Sequence, residues 1–195
     1  PDSIKNYFGW NGAYGLPRSL WLGSDGTLRM RPIKELESLR IEEKEFSNVK
    51  VNSESEVRLN EPGFELMELE VIIEPNNSLQ YGVKVGVSDN GREETLIYYD
   101  REEKKLKFDT RNSGIRDFGR KIIEEAPFEL KNGEPLILRI FVDRSIVEVF
   151  ANDRQAIARM VYPTLGGTGV SLFSEGGNMK ARSVKAWKLA PSNPY

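Results

Sequence analysis

Residues 137–187 form a series of short runs of β-branched and aromatic residues, with turn-forming residues between them. The clearest run is 140–150, in which such residues stand on both sides of the segment 143–145. This pattern is typical of two antiparallel strands joined by a tight turn. A chain that repeats it is restricted to sheet structures, because each sheet must bury one face against another layer.

Similar runs recur from residue 44 onward, separated by clusters of Asn, Asp, Gly, Pro and Ser. Short strands at this spacing predict an all-β fold, a two-sheet antiparallel β-sandwich. The length of 195 residues suits one such domain, and we assign it residues 28–190. Residues 32–40 begin with proline and predict one helix of about two turns. The predicted strands are residues 27–31, 67–73, 81–87, 95–99, 105–109, 137–142, 146–150, 156–161, 169–173 and 182–189.

Residues 1–27 differ from the rest of the chain, because large apolar side chains are interspersed with glycine and proline. The segment is too interrupted for a helix and too short to bury its own apolar groups, so it needs a partner surface. We interpret it as an irregular leader that belongs with another domain. Its candidate interdomain contacts are Trp10, Leu16, Leu20 and Trp21.

The composition excludes several classes of chemistry. The chain has no histidine and no cysteine, which excludes Ser–His and Cys–His catalysis and zinc sites with imidazole or thiolate ligands. We expect no metal and no cofactor. The 28 basic and 30 acidic residues are interspersed, so we expect neither a nucleic acid nor a membrane as partner. Because the chain opens on Pro1, we interpret it as a fragment or a processed product, and the compartment stays open.

Glu68 and Glu70 are the most enzyme-like pair. On one strand they share a face, about 7 Å apart, a separation found between the carboxyl groups of inverting glycosidases. The alternative, which we favour, is a solvated outer face opposite the apolar side chains of the same strand. Nothing in the neighbouring sequence would keep one carboxyl group protonated.

Glu148 lies in the strongest strand pair. If residues 144–145 form a two-residue turn, Glu148 lies opposite Phe141. We then expect a structural role for Glu148, as an ion-pair partner of Arg139 or Arg159.

Aromatic side chains can stack on sugar rings, although aromatic residues in a sandwich usually belong to the core. Tyr98 and Tyr99 are consecutive on a predicted strand, so one of them should point outward. We therefore name Tyr98, Tyr99 and Tyr81 as candidate carbohydrate contacts.

Several motifs along the chain are similar to those of one enzyme family. The most specific are residues 141–145 and 147–150, followed by residues 162–163 and 171–174. Further motifs are residues 9–12 with 16–18 and Leu20, residues 32–40, and residues 94–100 with Leu106 and Asp109. Together they make the chain resemble the C-terminal β-sandwich of glycoside hydrolase family 32, the β-fructofuranosidases that include invertases, levanases and inulinases.

The resemblance implies a concanavalin/lectin-like jelly roll whose leader is the remnant of a five-bladed propeller and its linker. In that family the propeller carries the three catalytic acids, in motifs of the types Trp-Met-Asn-Asp-Pro-Asn-Gly, Glu-Cys and Arg-Asp-Pro. None of them occurs here, and residues 116–118 read Arg-Asp-Phe. The resemblance therefore implies no catalytic residue in this chain. It implies the propeller as partner, fructan or sucrose as the parent's substrate, and a homodimer as a further expectation.

Three functional hypotheses follow. The first is a non-catalytic module that stabilises or completes the propeller of a fructan- or sucrose-hydrolysing enzyme. The second is a carbohydrate-binding module that holds fructan on an exposed sheet. The third is an independent sandwich glycosidase that uses Glu68 and Glu70, which we favour least because a Glu-x-Asp-x-x-Glu pattern is missing.

Overall fold

The protein is a sandwich of two six-stranded antiparallel sheets, preceded by a two-stranded hairpin. A computed structural model describes residues 9, 12–60 and 65–192, and it confirms the predicted β-sandwich. A short 3-10 helix spans Lys34–Leu39. The strands are β1 (Arg18–Leu22), β2 (Leu28–Pro32), β3 (Arg40–Val51), β4 (Ser55–Arg58), β5 (Leu66–Ile73), β6 (Gln80–Val87), β7 (Thr95–Asp100), β8 (Lys105–Asp109), β9 (Ile123–Pro127), β10 (Leu136–Asp143), β11 (Ile146–Ala151), β12 (Gln155–Met160), β13 (Gly169–Glu175) and β14 (Met179–Leu189).

The two sheets have strongly non-local strand orders. The first sheet runs β12-β11-β10-β5-β14-β3, and the second runs β4-β13-β6-β7-β8-β9. Strand β14 lies between β5 and β3 and is antiparallel to both. The last strand of the chain therefore completes the first sheet by joining β3 to the rest of it.

Alternating apolar residues place the core between the two sheets. On β5, Met67, Leu69, Val71 and Ile73 are at most 1% exposed. They belong to one buried cluster with side chains of the second sheet, such as Leu172 on β13. Side chains alternate across a strand, so this period of two puts every second residue of β5 into the core. Each such side chain contributes roughly 1.5–3 kcal/mol of hydrophobic stabilisation.

Strands β10 and β11 form the hairpin that the sequence predicted. Asp143 pairs with Ile146 and Phe141 pairs with Glu148, which confirms the expected register. Arg144 has a φ of 49°, in the left-handed region that allows the chain to reverse within two residues.

The N-terminal part differs from the sequence-based expectation in two respects. Strand β1 pairs with β2, so part of the supposed irregular leader is sheet, and the boundary placed between residues 27 and 28 falls inside a hairpin. The helix predicted for residues 32–40 is a six-residue 3-10 helix without a side-chain cap. It ends early because Arg40 enters β3, where its guanidinium group binds Glu68. No helix in the described part of the chain is long and apolar enough to span a bilayer.

Candidate functional site

Glu68 lies on the outer face of the first sheet but is fully buried. Its carboxylate accepts hydrogen bonds from Arg40 Nε at 2.8 Å and Nη2 at 2.6 Å, and from Arg139 Nε. The Arg40 guanidinium also stacks on the Trp187 ring at 3.9 Å. The expectation of a solvated face is therefore wrong for Glu68, because two arginines and a tryptophan cover it.

The supposed pair with Glu70 does not form a site that a sugar can reach. Glu70 is half-buried and pairs in register with Arg139 and Lys185 on the neighbouring strands. A glycosidase needs both carboxyl groups at the scissile bond, and Glu68 has no exposed surface. This arrangement suits a structural ion-pair network.

Glu148 is also fully buried on the outer face of the first sheet. Its carboxylate accepts hydrogen bonds from Arg18 Nη2 at 2.5 Å and from the Leu16 backbone N–H at 2.9 Å. The prediction of Arg139 or Arg159 as its partner is wrong, because Arg139 binds Glu68 and Arg159 binds a carboxylate on β9. The ion pair joins the N-terminal segment to the sandwich.

The N-terminal segment lies against β11 through this contact, and we call residues 15–18 the leader clamp. Arg18 also lies over the Phe150 ring, 5.1 Å from its centroid. A Cβ atom on Gly15 would lie 3.2 Å from the nearer carboxylate oxygen of Glu148, so the close approach favours glycine there. Leu16 is half-buried within the clamp.

The other predicted interdomain contacts lie in different environments. Trp21 is half-buried and stacks with Arg31, whose guanidinium carbon lies 4.3 Å from the ring centroid. Leu20 is 62% exposed, and Trp10 lies outside the described residues. Leu22 pairs with Leu28 across the hairpin, and both are more than half exposed.

Leu20 and Leu22 are two residues apart on β1, and Leu28 lies directly opposite Leu22. Residues at this spacing share one face of an antiparallel pair. We call Leu20, Leu22 and Leu28 the apolar hairpin face. Nothing within the described residues buries these three side chains.

The three tyrosines named as carbohydrate contacts are all buried, at 3% exposure for Tyr81, 6% for Tyr98 and 4% for Tyr99. The expectation that one of the consecutive pair is exposed is therefore wrong. Tyr98 lies outside the apolar core but packs edge-on against Phe173 with ring centroids 5.8 Å apart. Because side chains alternate across β7, the Tyr98 ring lies on the outer face of the second sheet, where Phe173 packs against it.

Tyr81 and Tyr99 nevertheless line a cavity of about 290 Å³, which we call the end cavity. It lies at the end of the sandwich where β5, β7 and β9 finish. Its walls come from residues 75–77, from Arg101 and from residues 130–134. The side chains and backbone groups that line the end cavity are mainly polar.

A further buried carboxylate, which no sequence pattern indicated, belongs to Glu93, which is 1% exposed. It accepts hydrogen bonds from the Ile115 N–H at 2.9 Å, the Leu165 N–H at 2.8 Å, and the Thr164 N–H and hydroxyl at 2.9 and 2.6 Å. Burial raises the pKa of Glu93, but these hydrogen bonds outweigh it and hold the pKa below its ordinary value. Glu93 thereby fastens two long loops to each other.

Comparison with known proteins matches this architecture to one family. The sequence model described as glycosyl hydrolases family 32 C terminal matches residues 35–188. A levanase of Bacillus subtilis is 32% identical over 93% of this chain and 29% of its own length. A sucrose-6-phosphate hydrolase of Zymomonas mobilis is 33% identical over 95% of this chain and 36% of its own length. The chain thus spans about a third of these relatives.

Solved structures show the same fold. Fructan 1-exohydrolase IIa from Cichorium intybus superposes with a TM-score of 0.83 at 17% identity, over 91% of this chain and 41% of that one. Exo-inulinase from Aspergillus awamori gives 0.77 at 23% identity, over 94% of this chain and 37% of that one. With the family match over most of its length, this chain belongs to the C-terminal domain family of glycosyl hydrolases family 32.

Proposed function

We propose that this chain is a non-catalytic C-terminal module of a fructan- or sucrose-hydrolysing enzyme, which packs against the catalytic domain of the same polypeptide and stabilises it. The observation that carries the proposal is the concentration of exposed apolar side chains near the N-terminus. Of the eight large apolar side chains exposed among the described residues, five fall between residues 14 and 41. Three of these five, Leu20, Leu22 and Leu28, form the apolar hairpin face, and contiguous exposed apolar surface marks an interaction site.

The occupant of this surface is the part of the polypeptide that the relatives have in addition. The levanase and the sucrose-6-phosphate hydrolase extend over roughly three times the length of this chain. The apolar hairpin face immediately follows the leader clamp, which holds the incoming chain against the sandwich. A domain that precedes the leader clamp in sequence would therefore lie next to the hairpin. We take this domain to be the five-bladed propeller.

Two buried carboxylates support the non-catalytic role. Glu68 is inaccessible beneath Arg40 and Arg139, and Glu148 is inaccessible beneath the leader clamp. The alternative of a fructan-binding module that uses an exposed sheet face has little support, because the candidate tyrosines are covered. The module role is the one that the exposed surface favours.

The experiment compares variants of the complete polypeptide that contains this sequence. The triple variant Leu20→Ser, Leu22→Ser and Leu28→Ser replaces the apolar hairpin face. We expect fructose release from sucrose or levan to be lost at a temperature several degrees lower than in the unchanged enzyme. The reason is that the loss of interdomain apolar contact removes roughly 25 cal/mol for each Å² of buried surface.

A control replaces three other exposed apolar side chains, Leu79→Ser, Ile115→Ser and Leu165→Ser, which are 41–43% exposed against 53–73% for the hairpin leucines. It should leave the inactivation temperature nearly unchanged. The 195-residue chain alone should release no fructose, and the hairpin variant should unfold in urea as the unchanged chain does. Equal effects of the two triple variants, or fructose release by the chain alone, would refute the proposal.

A further inference from the structure

Two Asn-Gly dipeptides of this chain lie in exposed turns. Asn90-Gly91 lies between β6 and β7, and Asn132-Gly133 lies between β9 and β10. All four residues are exposed, and the two glycines have φ values of 67° and 73°. A third Asn-Gly dipeptide, at residues 11–12, begins outside the described residues. The two described dipeptides form a matched pair, so a difference in their reactivity arises from the surrounding structure.

An Asn-Gly dipeptide can undergo a reaction with water alone. The backbone nitrogen of the glycine attacks Cγ of the asparagine side chain, and its proton leaves with the side-chain nitrogen as ammonia. The new C–N bond closes a five-membered succinimide ring. Water then opens the ring at either carbonyl group and leaves aspartate or isoaspartate, so that one water is consumed for each ammonia released. Glycine favours the attack because it has no Cβ and restricts the backbone least.

The turn at Asn90 engages both groups that would react. Asn90 Oδ1 accepts hydrogen bonds from Ser88 Oγ at 2.9 Å and from the Arg92 N–H at 3.1 Å. The Gly91 N–H donates to the Ser88 carbonyl at 3.0 Å. The asparagine side chain must leave its two donors, and the glycine nitrogen must leave its acceptor, before the ring can close. These hydrogen bonds therefore oppose the reaction at Asn90.

The turn at Asn132 is closed by its neighbours instead. The Glu134 N–H donates to the Lys131 carbonyl at 3.0 Å, and the Lys131 N–H donates to the Glu134 carboxylate at 2.8 Å. Among the residues that the structure describes, none forms a hydrogen bond with the Asn132 side chain or with the Gly133 N–H. The side chain can therefore rotate until Cγ meets the Gly133 nitrogen, while the two ends of the turn stay fixed.

We infer that Asn132 is a site of spontaneous deamidation in this protein, and that Asn90 is protected by its hydrogen bonds. The inference concerns a covalent modification of the module and does not rest on the proposed function. Its basis is the contrast between two exposed dipeptides of identical sequence, one with both reacting groups engaged and one with both groups open.

The modification has a structural consequence at Glu134. Isoaspartate adds one carbon atom to the main chain, so it lengthens the turn between Lys131 and Glu134. The Glu134 carboxylate also accepts hydrogen bonds from Asn152 Nδ2 and Arg154 Nη2, both at 2.9 Å. These two residues belong to the turn between β11 and β12. Deamidation should therefore loosen the contact between the two turns and lower the resistance of the chain to urea.

The experiment follows the 195-residue chain during incubation for days at mildly alkaline pH, with a parallel sample unfolded in guanidinium chloride. Brief digestion with trypsin releases the peptides 132–139 and 85–92, each of which contains one asparagine. Mass spectrometry measures deamidation of each peptide as a gain of one mass unit. Asn132→Gln is the control for the consequence, because glutamine would have to close a larger ring and reacts more slowly.

We expect Asn132 to deamidate at least about tenfold faster than Asn90 in the folded chain, the effect of one to two hydrogen bonds. In guanidinium chloride the two rates should become nearly equal. Equal rates in the folded chain, a faster reaction at Asn90, or a difference that persists after unfolding would overturn the inference. The aged chain should unfold at a lower urea concentration than Asn132→Gln aged in the same way, and equal midpoints would refute the consequence at Glu134.

Discussion

The buried carboxylate of Glu93 accepts hydrogen bonds from two separate loops, at Ile115 and at residues 164–165. In Glu93→Gln one acceptor oxygen becomes an amide that faces the N–H groups of Thr164 and Leu165, so at least one donor loses its partner. We expect a loss of about 1–3 kcal/mol in the free energy of unfolding, measured by urea denaturation at pH 7. The control is Glu129→Gln at an exposed ion pair with Lys104, which should change stability by less than about 0.5 kcal/mol. Equal losses in both variants would contradict this role.

The contribution of Glu93 to the free energy of unfolding should decrease as the solution becomes acidic. The pKa of Glu93 is lowered from its ordinary value of 4.5, so the folded protein binds the proton more weakly than the unfolded chain does. Its stabilising contribution is therefore complete above pH 4.5 and is lost as the pH falls through the lower folded-state pKa. The stability difference between the unchanged protein and Glu93→Gln should shrink in urea titrations below pH 4.5. A difference that grows on acidification would contradict the assignment.

The roles of individual glutamates could be predicted only in part from sequence. The register of Glu148 against Phe141 followed from the hairpin pattern, but its partner did not. Leu16 lies 132 residues away from Glu148 in sequence, and Thr164 lies 71 residues away from Glu93. No local pattern distinguishes a buried glutamate with distant donors from a solvated one. The burial of Glu68 was missed for the same reason.

At the scale of an element, the leader clamp depends on the hydrogen bonds of one buried carboxylate, that of Glu148. Glu148→Gln should weaken its hydrogen bonds to Arg18 and to the Leu16 N–H. We expect the Leu16 amide to exchange with deuterium about fivefold to tenfold faster, since local opening costs less. Gly15→Ala should act in the same direction without any change in the sandwich, because its Cβ would crowd the carboxylate. Unchanged exchange in both variants would show that the clamp does not depend on this contact.

The strands that the sequence predicted and those that it did not differ in position. Strands with a buried face, such as β5, β6 and β10, show the period of two in their apolar residues and were predicted. Strands β1, β3, β4 and β9 were not predicted individually, and β3, β4 and β9 lie at edges of the six-stranded sheets, as does β12, which was predicted. Edge strands carry charged residues that discourage pairing with other molecules, as in the run RIEEKEFSNVKV of β3. This protection interrupts the apolar alternation from which a strand is recognised.

At the scale of the whole molecule, the topology makes the C-terminal strand indispensable. On β14, Ala181, Val184 and Ala186 have no exposed surface, and the strand bonds β5 on one side and β3 on the other. Removal of β14 would expose one side of β5 and leave its backbone N–H and C=O groups without partners inside a sandwich. It would also detach β3, which pairs with β14 alone in the first sheet.

A chain that ends after residue 178 should therefore fail to form the sandwich, whereas a chain that ends after residue 190 should fold, because it keeps β14 entire. Two-dimensional amide NMR spectra and size-exclusion chromatography distinguish the outcomes. We expect collapsed amide dispersion and aggregation for the shorter chain, and a dispersed spectrum with nearly unchanged stability for the longer one. A dispersed spectrum from the shorter chain would mean that the two sheets hold together without their closing strand. The stabilising role proposed for the module would then not depend on this non-local closure.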